Sequence, residues 1–206
     1  MLSQSVASEL REAISAGEFQ PGEQLSEVKA AERFNCSRNT LRESFTRLAA
    51  ERIVERIPNR GVFLAMPDAD YIRDLFAARA AIEPAAVRWG AFADAPSLVT
   101  LTSSAFDYAA RGEHQEVSAI NQRFHRTLVA ALGSPTLNEQ MDNLLARMRL
   151  TFLLAIPRYP QLHADHIQGN ITLATLIADG KRDEAATLAH DSLMNTCGKI
   201  LAVLED

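Results

Sequence analysis

Residues 35–64 read NCSRNTLRESFTRLAAERIVERIPNRGVFL. Asn35-Cys36 lies between two helical patterns and is too short for anything but a tight turn, and Ser37 is a good N-cap for the second of them. In the run SRNTLRESFTRLAAER, Leu41, Phe45 and Leu48 recur at i, i+4 and i+7 as an inward stripe. The outward face then holds Arg38, Asn39, Arg42 and Thr46, with Arg47 beside them. Two β-prone pieces, Ile53–Ile57 and Gly61–Leu64, are joined by Pro58-Asn59-Arg60 as a hairpin turn. Upstream, Val6, Ala7, Leu10 and Ile14 mark a helix over 3–16 that stops at Gly17. Pro21 and Gly22 make a turn, and Ser26 caps a helix over Glu27–Phe34. Helix, helix, tight turn, helix, hairpin is the order of a winged helix-turn-helix, whose second paired helix enters a DNA major groove.

The residue types on that helix suit the task. Arg38 and Arg42 stand one turn apart, and a planar guanidinium fork can take guanine O6 and N7 or clamp a phosphate. Ser37, Asn39 and Thr40 add short polar groups for phosphates. The formal net charge of -5 is no objection, because charge counts by domain. Residues 1–66 hold nine Lys/Arg and nine Asp/Glu, while 67–206 hold twelve against seventeen. The whole deficit therefore falls outside the winged helix, and 38–60 contain six arginines against three glutamates. The domain boundaries predicted are 1–66 for DNA binding and 67–206 for the remainder.

From Met66-Pro67 the pattern is helical to the end, broken at Asp94-Ala95-Pro96, Arg111-Gly112, Gly133-Ser134-Pro135, Pro157–Pro160 and Asp179-Gly180. Six helices are predicted, over 68–93, 96–110, 114–132, 135–156, 162–178 and 182–204, and no segment alternates with period two. The fold class is mainly α: an N-terminal winged helix-turn-helix followed by an all-α antiparallel six-helix bundle. Arg79 and Glu83 fall inside the apolar stripe of the first bundle helix. Either they pair at i, i+4 or Arg79 faces an internal cavity.

The strings AISAGEFQPGEQLSE and CSRNTLRESFTRLAAERIVERIPNRGVFL resemble the GntR family of bacterial transcription regulators, matching its G-x-x-x-P-G-x-x-L-S-E, S-R-x-x-[LV]-R-E and P-N-R-G-V segments over nearly all of residues 10–64. The resemblance implies that Arg38 and Arg42 touch bases or adjacent phosphates, that Arg47 supports the recognition helix, and that the wing tip Asn59-Arg60-Gly61 enters the minor groove. An arginine that the fatty-acid-responsive branch uses in the preceding helix falls here on Val28, so the operator should differ. Looser pieces, RAAIEP at 79–84, NQRFHRTL at 121–128 and ADGKRDEAA before the last helix, resemble the FCD ligand-binding domain of the FadR branch, in its shorter VanR-like form.

Many FCD domains hold a divalent metal through a carboxylate or amide and three histidines. By that resemblance the first pair falls on Asn121 and His125, and the remaining two positions on Asn170 and Ser192. One histidine in four positions is a poor transition-metal set, so no metal cofactor is expected. A shifted register would instead assemble His125, His166 and His190. Taken singly, His163, His166 and His190 are expected to be polar residues at the surface or at helix ends, and His114, beside Glu113 at a helix start, signals nothing further. Without a metal, Arg79, Asn121, His125, Asn170 and Ser192 would line a pocket for a small carboxylate effector.

The resemblance further implies a homodimer on a palindromic double-stranded DNA operator, acting as a repressor under effector control. A winged-helix interaction module without effector control is the alternative. Nothing points to an enzyme: there is no G-x-S-x-G, phosphate-cradling loop, paired metal motif or dinucleotide turn. No apolar run approaches the ~20 residues that span a bilayer, and no secretory signal is visible, so the expected address is cytoplasmic. Cys36 and Cys197, with no CxxC, are expected to be free thiols.

Overall fold

The computed structural model describes residues 2–205, except the side chains of Leu2, His163 and Ala164. The expectation for His163 therefore lies outside the described residues. Contacts divide the chain into two units: residues up to Asp68 together with Asn143–Leu154, and Ala69–Asp142 together with Ala155 onward. The sequence boundary at 66/67 is close to the first division, whereas nothing in the sequence marks 143–154 as apart from its neighbours.

In the first unit α1 spans Leu2–Ser15, β1 Gln24–Leu25, α2 Glu27–Arg33, α3 Arg38–Ala50, β2 Val54–Ile57 and β3 Gly61–Leu64. The Ser26 side chain accepts from the Lys29 backbone N–H to start α2, and Ser37 accepts from that of Thr40 (3.1 Å) to start α3. Between them Asn35 turns the chain at φ 45, a left-handed conformation that asparagine tolerates, and the Cys36 N–H closes on the Ala31 carbonyl (3.0 Å). Leu10, Ile14, Leu41, Phe45, Leu48 and Ile53 are fully buried, so α1 and α3 pack through the predicted stripes. The hairpin β2–β3 pairs Val54 with Leu64 and Ile57 with Gly61. Its tip turns through Asn59 at φ 60, and the Arg60 N–H returns to the Ile57 carbonyl (3.0 Å). The strand β1 was not expected; Gln24 and Leu25 pair with Phe63 and Val62, making a sheet of order β1-β3-β2. Two residues carry no periodicity to read, and their pairing depends on an edge supplied 37 to 39 residues later.

The second stretch forms α4 (Ala69–Trp89), α5 (Ala95–Ala110), α6 (His114–Ala130), α7 (Pro135–Ala155), α8 (Leu162–Ala178) and α9 (Arg182–Glu205). These are the six expected helices. The first is shorter than predicted: α4 ends at Trp89, and the Ala91 N–H bonds the Ala131 carbonyl (2.8 Å) in place of a further turn. Asp94 caps α5 by accepting from the Ser97 N–H, with a proline in the first turn. In the second unit α4 packs on α9 and α6, and α5 on α6 and α8. Val87, Leu98, Phe124, Leu128, Ala174, Ile177 and Ala185 form its main core cluster. Every residue of 144–152 is buried, arginines 147 and 149 included. The fold is thus mainly α, with nine helices and one small sheet among the described residues.

Candidate nucleic-acid interface and a buried polar cluster

On α3, Arg38, Asn39, Arg42, Thr46 and Arg47 are all exposed, as the stripe required. Ser37 caps the helix as expected, and Thr40 is tied to it. Their hydroxyls lie 2.9 Å apart, and the Ser37 oxygen also accepts the Thr40 N–H, so both serve the helix cap. Arg38 has no hydrogen-bonding or ionic partner among the described residues. Arg42 does: its Nε donates to both carboxylate oxygens of Glu27 on α2 (3.2 and 3.1 Å), and its Nη2 is 3.0 Å from Oε2. This hydrogen bond and the adjacent charge raise the Arg42 pKa. The Thr46 hydroxyl donates to the Arg42 carbonyl and accepts from Arg56 Nη1 of β2, tying the hairpin to α3. At the wing tip Asn59, Arg60 and Gly61 are exposed; the Arg60 guanidinium lies over the Phe63 ring, and its carbonyl accepts from Gln24 Nε2 (2.8 Å). Glu27, Arg56 and Gln24 were not singled out from the sequence. Glu27 stands in the L-S-E motif, but its reach to Arg42 follows from how α2 crosses α3. Val28 is 47% exposed, so α2 presents an apolar side chain there and no cation.

Within the second unit Arg79 is 2% exposed and its Nε donates to Glu83 Oε1 (2.6 Å). Glu83 Oε2 lies 2.7 Å from His125 Nδ1 on α6. The open choice between an ion pair and a cavity-facing arginine thus resolves as a pair with a remainder, because Arg79 Nη2 is buried with no hydrogen-bond partner. Burial pushes the Glu83 carboxyl up, but the Arg79 charge and then His125 overcome this and hold it at about 2. One turn before His125, Asn121 accepts from Asn170 Nδ2 of α8 (2.7 Å). His166, one turn before Asn170, donates through Nδ1 to the Leu162 carbonyl and meets the Thr196 hydroxyl through Nε2 (3.3 Å). Its burial lowers the imidazole pKa to about 4, with His125 and Arg79 adding to the effect.

Two expected members do not join this group. Ser192 is exposed on α9, at the edge of the face that buries Ala189 and Leu193. His190 is exposed as well and pairs with its neighbour Asp191 (3.0 Å), so the shifted register does not bring it to His125 and His166. His125 has one ring nitrogen committed to Glu83, and the Asn121 oxygen already accepts a bond. No group of three His, Cys, Asp or Glu suited to a metal occurs among the described residues. This donor set does not fit a three-histidine metal centre. The sequence placed Glu83 in the apolar stripe beside Arg79 but could not reveal it as the hub, since its reach to His125 depends on how α6 packs against α4.

Comparison with known proteins agrees with this architecture. Residues 2–64 match the bacterial regulatory proteins of the gntR family, and residues 74–194 match the FCD domain. The chain belongs to the gntR family of transcriptional regulators that carry an FCD domain, and it is not an enzyme. It is 26% identical over 189 residues to the Nta operon transcriptional regulator of Aminobacter aminovorans, covering 90% of this chain and 88% of that one. It is 29% identical to the HTH-type transcriptional repressor GlaR of Escherichia coli strain K12, covering 88% of each. A crystal structure of a GntR transcriptional regulator from Rhodococcus sp. RHA1 superposes with a TM-score of 0.82 at 29% identity, covering 97% of both chains. The family binds DNA operators, so double-stranded DNA is the partner of this chain. No helix among the described residues is long and apolar enough to cross a membrane.

Proposed function

We propose that the protein is a homodimeric repressor that binds a palindromic operator and loses affinity for it when a small carboxylate enters the second unit. The single observation that carries the effector reading is the buried Arg79 Nη2 without a partner, beside the Glu83–His125 pair. An orphaned guanidinium N–H in a low-dielectric interior costs free energy that a bound carboxylate would recover, and charge-assisted bonds of this kind are the strong ones. Asn121, Asn170 and His166 supply neutral polar groups around it. Arg79 and His125 take the place of a metal as the anion's partners, so no metal is required. Two relatives are named as repressors, GlaR and the galactonate operon repressor of the same Escherichia coli strain, the latter 28% identical over 160 residues. A sugar acid or similar hydroxy acid would suit a cluster of one unpartnered guanidinium nitrogen and two amides.

Such an effector acts through its different affinity for the free and operator-bound forms, a coupling of about 1–3 kcal/mol in typical cases. The test begins with selection of bound genomic fragments at near-physiological salt. A panel of sugar acids and short hydroxy acids is then titrated against the selected operator, with and without chelator. Weakened operator binding by one acid, unchanged by chelator and abolished in Arg79→Met, is the expected result. A response that needs added metal, or that survives Arg79→Met, counts against this site.

A further inference from the structure

Arginine has two edges that can make paired hydrogen bonds. In Arg42 the edge formed by Nε and Nη2 is taken by Glu27, at 3.1 and 3.0 Å. The terminal edge, formed by Nη1 and the outer hydrogen of Nη2, has no partner among the described residues, and the side chain is 57% exposed. That terminal edge is the one that can make two parallel bonds to guanine O6 and N7. Glu27 itself is well anchored: it is the first residue of α2, behind the Ser26 cap, where the helix dipole favours a carboxylate. Arg38, one turn earlier on the same face, has no such brace.

We infer that Glu27 is a positioning residue for operator reading: it holds the Arg42 guanidinium with its terminal edge outward, so that Arg42 reads a guanine instead of wandering among phosphates. The inference rests on the DNA-binding role of the winged helix and is independent of any effector. It carries a signature that neither a helix-capping role nor plain electrostatics shares. A carboxylate on a DNA-facing surface repels phosphates, so its removal should leave binding to an arbitrary duplex as tight or tighter. Removal of a brace should at the same time reduce the preference for one base.

The experiment uses the full chain and a duplex library randomised over about two helical turns, the span of a dimeric site. Wild type, Arg42→Ala, Glu27→Gln, Glu27→Ala and the double variant Glu27→Ala/Arg42→Ala are each put through selection and sequencing. Affinity for one unrelated duplex is measured in parallel. The expected wild-type motif contains a symmetric pair of guanines whose preference disappears in Arg42→Ala. Glu27→Ala should reduce that preference about fivefold or more, and Glu27→Gln less, with the other positions unchanged and the unrelated duplex bound no more weakly. The double variant should match Arg42→Ala at that position. Thermal unfolding checks the fold, and Glu27→Gln, which keeps the side-chain shape, decides the matter if Glu27→Ala is unstable. Full retention of the guanine preference in both Glu27 variants overturns the inference, as does an even loss of affinity across all sequences. A wild-type motif with no Arg42-dependent guanine overturns it too, and no motif at all overturns the DNA-reading role with it.

Discussion

Glu83 is 1% exposed yet ionised, held so by Arg79 and His125. Truncating it leaves a buried guanidinium without its counter-charge, which costs roughly 3–5 kcal/mol, whereas replacing the pair by apolar residues of similar size is far milder. Denaturant unfolding should therefore show Glu83→Ala strongly destabilised and Arg79→Met/Glu83→Leu much less so. The same residues set an acid limit. Glu83 titrates at 4.5 when unfolded and about 2 when folded, so its contribution is complete above 4.5 and is lost as pH falls towards 2. His166 is also depressed, from 6.5 to about 4, and the unfolded chain takes up its proton first on acidification. Stability should thus begin to fall below about pH 6.5, and His166→Gln should flatten the curve between 6.5 and 4 without removing the loss at lower pH. Unfolding midpoints across that range read both effects. The sequence showed the i, i+4 pairing of Arg79 with Glu83 as one of two possibilities. It could not show that Glu83 also meets His125, forty-two positions away on another helix.

At the scale of elements, the recognition helix depends on its start. Ser37 accepts the Thr40 N–H, and loss of such a cap costs about 1 kcal/mol. Ser37→Ala should lower the unfolding midpoint and fray the first turn of α3, which carries Arg38; Ser37→Gly should do less harm to stability. Amide exchange at residues 38–40 reads the fraying directly, and unaltered protection there would show that the cap is supplied by something else. Helix existence and stripe were legible here because Leu41, Phe45 and Leu48 repeat with the helical period and Ser37 punctuates them. The strand β1 was not legible, since a two-residue pairing is decided by the edge of β3 and not by its own composition. The same holds for Arg56, whose bond to Thr46 joins the hairpin to α3.

At the scale of the whole molecule, proteins that bind duplex DNA draw on phosphates as well as bases. The logarithm of operator affinity should fall linearly with the logarithm of salt concentration. Arg60→Ala, at the exposed wing tip, should weaken binding to all sequences alike and reduce the magnitude of that slope by about one for each protomer engaged. Equilibrium titrations at four or five salt concentrations measure it, and a slope unchanged in Arg60→Ala would remove the wing tip from the contact.

The sequence by itself determined the winged helix, the six helices after it and the outward arginines of α3. Each of these is written in local terms: periodicity within one helix, a cap at its start, a turn residue at its end. The tertiary structure decided what those side chains do to one another. It gave Glu27 to Arg42, made Glu83 the hub between Arg79 and His125, joined Asn121 to Asn170, and left Ser192 and His190 on the surface. It also buried every residue of 144–152, where the sequence reads as one more bundle helix. The physical reason is that helical periodicity fixes which residues share a face. The angle and register at which helices cross fix which of those faces are brought together.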